Sequence, residues 1–253
     1  MSPTQKKIGS VPYLNSVPLT YGIENEIDFV VPSLLAKKLR AGKLDAALVS
    51  ITEALFHDGY EILDGVAIAS EGPVKSVFLA HRQPLEKIHT IHCDTASLTS
   101  INLLRVLLAE RDIKPIFKPL PNYKQAIQLD NLLLIGNPAI DFLSAPHKHN
   151  IWDLGLAWQE LTQLSFVYAV WALRRGQHNE ALRNKLLSAK KSGITNLTDI
   201  IATHTDYDAD FRKAYLNGHI RYNFGEREKA GLNKFIELLK KHAIAPIFEP
   251  TFI

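Results

Sequence analysis

The sequence predicts an α/β protein of two lobes, each on a mostly parallel sheet, joined by two antiparallel strands that cross between them. Three observations carry this. Short apolar runs rich in branched residues alternate with stretches of helical period, the pattern restarts after Pro84, and several runs stop at a hydroxyl or amide just before a helix starter. Strand, helix, strand with short loops implies a right-handed crossover and parallel pairing. Polar residues at the ends of such strands stand where α/β sheets bind ligands. The expected first lobe is discontinuous, residues 1–82 and 172–253, and the second covers 83–171.

Residues 8–22, IGSVPYLNSVPLTYG, open the first lobe. Ile8, Val11 and Leu14 begin a strand, Pro12 removes a ladder donor, and Pro18 suits the first turn of a helix through Leu19 and Tyr21. The tip between them carries Tyr13, Asn15 and Ser16. Asn15 is the first place to expect substrate contact; the alternative is that Asn15 and Ser16 are only an N-cap pair. A second run, 27–31, closes at Pro32, and a helix follows with Ser33 as N-cap, Leu34, Leu35 and Leu39 at core spacing and Gly42 at its C-terminal end. LDAALVS, 44–50, reads as a buried parallel strand ending at Ser50, with Thr52 and Glu53 beyond. VAIAS, 66–70, and VKSVFLAH, 74–81, flank the turn Glu71, Gly72, Pro73. Ser76 shares a face with Phe78, so its hydroxyl is tucked near a covered site, where a carbonyl or a ligand would satisfy it.

In the second lobe, IHTIHC, 88–93, is a strand and INLLRVLLAERD, 101–112, an amphipathic helix. Thr95, Ser97, Thr99 and Ser100 crowd the start of that helix. Capping needs only one of them, and the surplus at a helix N-terminus points to a carboxylate or phosphate. A strand at 115–118, a helix at 122–129 and a strand at 132–136 follow, the last ending at Gly136 and Asn137 before Pro138. Residues 152–164 read as loop and helix. The apolar run 165–173 pairs with 74–81 as the two crossing strands. The stretch 178–241 is helical, and 244–250, IAPIFEP, is a final extended segment returning to the first lobe.

Composition narrows the function. The chain has 253 residues, 46% hydrophobic and 22% charged, with a net charge of +3, which suits a small anionic ligand better than a nucleic-acid groove. The single Cys93 excludes an internal disulfide. No apolar run has signal-peptide or membrane-spanning length, so the expectation is a soluble cytoplasmic protein without a membrane partner. His89 and His92 beside Cys93 fall on opposite faces of a strand, and nothing completes a ligand set around His147 and His149, so no metal is expected. Phosphate-loop, dinucleotide, nucleophile-elbow and CxxC motifs are absent from the sequence, and no nucleotide or redox cofactor is called for. Trp152, Trp158 and Trp171 read as packing residues.

Two α/β lobes with crossing strands and polar strand ends facing a cleft describe a type II periplasmic-binding-protein-like fold. The chain also resembles the chorismate dehydratases, the family that opens the futalosine route to menaquinone. The resemblance is carried by VPYLNSVPL at 11–19, LAKKLRAGKLDAALVS at 35–50, EGPVKSV at 71–77, DTASLTS at 94–100, LIGNPA at 134–139 and SFVYAVWAL at 165–173, in the family's order. One position departs: Asn137 stands where Asp is expected after the glycine.

The resemblance implies loss of water from chorismate to give 3-(1-carboxyvinyloxy)benzoate, a cofactor-independent hydro-lyase reaction on a dicarboxylate. On that reading Asn15 holds the departing hydroxyl and Ser76 orients the substrate. Ser97, Thr99, Ser100 and the helix start bind the ring carboxylate, and Tyr13, Ser50, Gly72 and Asn137 complete the binding set. The substrate's own side-chain carboxylate is the expected base, with Glu53 as the protein candidate. The rival reading is a non-catalytic solute-binding or sensing protein for a small carboxylate on the same fold. A second rival is the related enzyme that makes dihydroxynaphthoate, which calls for a catalytic histidine; only His81 stands near a suitable strand end.

Overall fold

A proline sets the length of the first strand: β1 covers only Ile8–Ser10, since Pro12 offers no N–H to a neighbour. The computed structural model describes residues 7–96, 98–177 and 180–253. After β1 come α1 (Val17–Thr20), β2 (Ile27–Phe29), α2 (Pro32–Arg40), β3 (Ala46–Ser50), α3 (Ile51–Phe56) and the long β4 (Tyr60–Ser70). β1 pairs in parallel with both β2 and β3, as the crossover reading requires. α2 begins at Pro32, whose fixed φ suits a first helical position, so Ser33 lies inside the helix and is not its cap. Leu35 and Leu39 of α2 pack with Val11, Leu44, Ala47 and Val49, while Leu34, expected in the core, is exposed.

Next come β5 (Val77–His81), β6 (Thr90–Cys93), α4 (Leu98–Ala109), β7 (Ile116–Pro119), β8 (Asn131–Ile135), α5 (Gly136–Ser144), β9 (Asn150–Asp153) and α6 (Leu154–Thr162). The helix expected over 122–129 is a 3₁₀ segment, Tyr123–Gln128, started by the Asn122 side chain, which accepts from Gln125 N. β10 (Phe166–Arg174), α7 (Glu180–Thr195), α8 (Leu197–Thr203), α9 (Ala209–Lys213), a π-helical turn (Ala214–His219) and α10 (Glu226–Lys241) complete the order.

The described residues divide into two compact units. Unit 1 holds the chain up to Ala69, Val167–Gly225 and Ile247–Ile253; unit 2 holds Ser70–Phe166 and Glu226–Pro246. The sheet of unit 1 has the order β2-β1-β3-β10-β4 and that of unit 2 β7-β6-β8-β5-β9. Residues 74–81 therefore do not cross between units. β5 is an interior strand of the second sheet, antiparallel to β8 and β9 on its two edges, and residues 77–80 are buried on both of its faces. The strand that leads out of unit 1 is β4, whose first half sequence reading left unassigned; β10 leads back and lies beside it in the sheet.

The other difference from the expected lobes is α10, which belongs to unit 2. Its Phe235 meets Trp158 and Phe166 edge to face, at 5.9 and 5.0 Å, and Lys241 and His242 at its end both bond Glu110 at the end of α4. A solvated helix and a docked one share the same apolar spacing, so the sequence does not choose its host. The last residues return to unit 1, where Phe248 N donates to Leu55 O and Phe252 bridges Ile62.

Candidate active site

In unit 1 the end of β1 turns directly into a 3₁₀ turn, Leu14–Ser16, and then α1. The buried Ser16 hydroxyl lies 2.6 Å from Val11 O and 2.8 Å from Tyr13 O, and donates back to the turn to hold it closed. Neither Asn15 nor Ser16 caps a helix N–H through its side chain, so the N-cap alternative does not describe this junction. Asn15 Nδ2 instead donates to the Tyr215 hydroxyl at 3.2 Å, across 200 residues of sequence. Its Oδ1 is out of contact with water and has no hydrogen-bond partner. A buried carbonyl oxygen left so costs stability and is an acceptor waiting for a donor.

Other predicted unit 1 residues have structural employment. Tyr13 packs against the cluster of Val11, Leu35 and Leu39. Ser50 ends β3 and caps α3, its Oγ accepting from Glu53 N at 3.3 Å. Glu53, the protein candidate for the base, is engaged by neighbouring side chains. It is 1% exposed, both its oxygens lie 2.7 Å from Arg40 Nη1, and the Tyr60 hydroxyl donates to it at 3.3 Å. Burial, followed by the Glu53 charge, raises the Tyr60 phenol above its usual range. Both carboxylate oxygens are thus engaged by side chains of unit 1.

In unit 2 the strand register gathers several predicted residues at one end of the sheet. β6 and β8 run parallel and β5 antiparallel to β8, so the polar ends of β6 and β8 and the approach to β5 coincide. Ser76, 1% exposed, lies just before β5 rather than in it, and its carbonyl accepts from Gly136 N at 2.8 Å, next to Asn137. α5 begins at Gly136, with φ +59, a conformation that glycine supplies at little cost. Thr99 and Ser100 are buried in the first turn of α4; Ser97 lies outside the described residues.

Asp153 ties down the loop that carries Ser76. Its carboxylate accepts from Val74 N and Lys75 N, and from Gly155 N and Leu156 N at the start of α6. Gly72 has φ +93, a backbone conformation that by itself calls for glycine, and a Cβ there would meet only the movable end of the Gln159 side chain.

Sequence reading passed over Asp94. It follows β6 at the same sheet end, is buried, and accepts from Ala96 N at 2.9 Å and the Tyr123 hydroxyl at 2.8 Å. Burial raises its pKa against the opposing pull of those two donors. The available signal was position, as the first polar residue past the strand. His81 is engaged at Nδ1 with Gln83 O at 2.6 Å. Among the described residues no group of three His, Cys, Asp or Glu could hold a metal, and no helix is long and apolar enough to cross a membrane. A unit 2 cavity of about 410 Å³, lined by Pro73, Lys75, Trp152, Leu156 and Glu160 among others, includes none of the predicted site residues.

A strand-end amide with an unanswered oxygen and a sheet end of buried hydroxyls are compatible with many ligands, and comparison with known proteins narrows them. A family model described as menaquinone biosynthesis matches residues 6–241. The chain belongs to that family. A chorismate dehydratase from Thermus thermophilus is 30% identical, the match covering 96% of this chain and 98% of that one. Among solved structures, protein AF1704 from Archaeoglobus fulgidus superposes with a TM-score of 0.73 at 20% identity, covering 95% of this chain and 99% of that one. The alkanesulfonate-binding protein SsuA from Xanthomonas axonopodis pv. citri gives 0.67 at 16% identity, covering 97% and 96%. These structural likenesses establish for this menaquinone-biosynthesis family member the periplasmic-binding-protein-like fold that its strand ends predicted.

Proposed function

We propose that the protein is a hydro-lyase that removes water from chorismate to give 3-(1-carboxyvinyloxy)benzoate, without metal or organic cofactor. The observation that carries this is the match to a chorismate dehydratase over nearly the full length of both chains. The ring hydrogen to be lost is vinylogous to the ring carboxylate, so donors on that carboxylate stabilise the developing enediolate. Thr99 and Ser100, with Ser97, are assigned to that work, Ser76 to orienting the substrate and Asn15 to the departing hydroxyl. With Glu53 held by Arg40 and Tyr60, the base is the substrate's own side-chain carboxylate. The carbon–hydrogen bond breaks toward that carboxylate, the carbon–oxygen bond of the hydroxyl breaks, the ring gains its third double bond, and proton and hydroxide leave as water.

Asn137, where a carboxylate was expected, follows the glycine whose N–H bonds Ser76 O. The proposal assigns it to substrate binding through its amide. A solute-binding role finds support only in likeness of fold to binding proteins, at 16% identity for SsuA. Incubating the purified protein with chorismate in the presence of a chelator, followed by chromatography and mass analysis, tests the proposal. The expected product is chorismate less one water; unchanged chorismate, or turnover only when a metal is supplied, overturns it.

A further inference from the structure

We propose that Tyr215 is a positioning residue that fixes the place of the Asn15 amide beside the hydroxyl group the substrate loses; this rests on the dehydratase reading above. An asparagine side chain presents a donor end and an acceptor end, and a phenol hydroxyl beside it can hold the amide in place by accepting from the donor end. Here the nitrogen end is held. Asn15 Nδ2 donates to the Tyr215 hydroxyl, leaving Oδ1 buried and without a partner.

Tyr215 is itself held on several sides. It is 1% exposed, its ring stacks on Phe211 with centroids 5.4 Å apart and planes 16° from parallel, and Phe211 meets Tyr207 in turn. It sits in the π-helical turn Ala214–His219, where Ile220 N reaches back five residues to Tyr215 O at 3.0 Å. Such turns are rare and recur at functional sites, because the extra residue re-aims the side chains around it. The turn and the ring stack bring a hydroxyl to a fixed point beside a three-residue strand that has little means of orienting Asn15 alone.

The consequence is a rule for the substrate. A buried acceptor is satisfied by an O–H or N–H and by neither an ether nor a carboxylate oxygen, so Asn15 reads the hydroxyl as a hydrogen-bond donor and lines up its carbon–oxygen bond for departure. Tyr215 touches no reacting atom and acts through Asn15.

The test is a double-mutant cycle in single-turnover kinetics on chorismate. Tyr215→Phe keeps the ring and removes only the hydroxyl. It is expected to lower kcat about 10-fold with KM within about 2-fold, at an unchanged melting temperature, and to have no further effect in an Asn15→Ala background. Wild-type kcat retained in Tyr215→Phe overturns the inference. So does an equal loss in both backgrounds, which is what damage to the fold alone would produce. Failure of the wild-type protein to convert chorismate overturns the dehydratase reading and this inference together, whereas wild-type turnover with an additive cycle overturns this inference alone.

Discussion

In unit 1 the sheet end offers one amide, Asn15, whose oxygen has no partner and whose nitrogen is held by a residue 200 positions away. In unit 2 the polar sheet end is bound locally: Ser76 is tied to Gly136 across the β5–β8 register, its loop is held by Asp153, and none of Ser76, Thr99, Ser100 and Asn137 is without a partner. The contrast separates two ways of preorganising a site. Backbone tied to its neighbours in the sheet is set as soon as that sheet forms, while an uncommitted amide is set only when a distant element docks. The first suits firm binding of an unchanging carboxylate, and the second leaves an acceptor open for a group that must leave.

If that contrast is correct, Asn15→Ala should cost the most, about 100-fold in kcat on chorismate, the scale for losing a group that positions the reacting bond. Ser76→Ala should cost about 10-fold, since its carbonyl bond to Gly136 survives. A larger loss at Ser76 would reverse the comparison. Glycine substitutions give the next effect. A Cβ on Gly193 of α7 would lie 1.9 Å from Pro18 O in α1, and one on Gly231 of α10 would lie 1.9 Å from Ser165 O, both backbone atoms. Gly193→Ala and Gly231→Ala should each destabilise by about 1–3 kcal/mol in thermal melts. Only Gly193→Ala, which pushes on the helix after Asn15, should also lower kcat while the protein is folded.

Glu53→Gln should destabilise by about 1–3 kcal/mol, from loss of charge-assisted bonds to Arg40, with kcat unchanged. Loss of turnover in a variant of unchanged melting temperature would restore Glu53 as the base. The smallest effect belongs to Glu110, which anchors α10. Its hydrogen bond to Lys241, with a further bond to His242, holds its carboxyl below the usual range despite an opposing desolvation effect. A pKa depressed in the folded state adds stability that is complete above the unfolded value and is lost as pH falls through the folded one. Melting temperatures of wild type and Glu110→Gln should differ by a few degrees or less at neutral pH and converge on acidification; a gap that widens in acid would remove the pairing from the account.

Much of this was legible locally. Proline positions gave the abrupt end of β1, branched apolar runs gave β3 and β8, and helical spacing gave α4, because each depends on interactions within a few residues. The placement of 74–81 was not legible, since an apolar strand is equally suited to crossing between units or lying inside one sheet; only pairing with β8 and β9 decided it. β9 escaped notice because Asn150–Asp153 is a short strand leading straight into a helix. Glu53 looked available until Arg40 and Tyr60 were placed around it, and Asp94 looked ordinary until burial raised its pKa.

By itself, then, the amino-acid order determined many of the strands and helices, several of the polar strand ends, and that Asn15 follows such an end, all consequences of short-range sterics and hydrophobic period; Ser76 it placed inside a strand, and the structure puts it just before β5. Tertiary structure alone decided which polar groups are committed and which remain open: the partner of Asn15 lies in a π-helical turn 200 residues on, and those of Glu53 come from α2 and β4. Hydrogen bonds of that range depend on how whole elements pack, which no local pattern encodes.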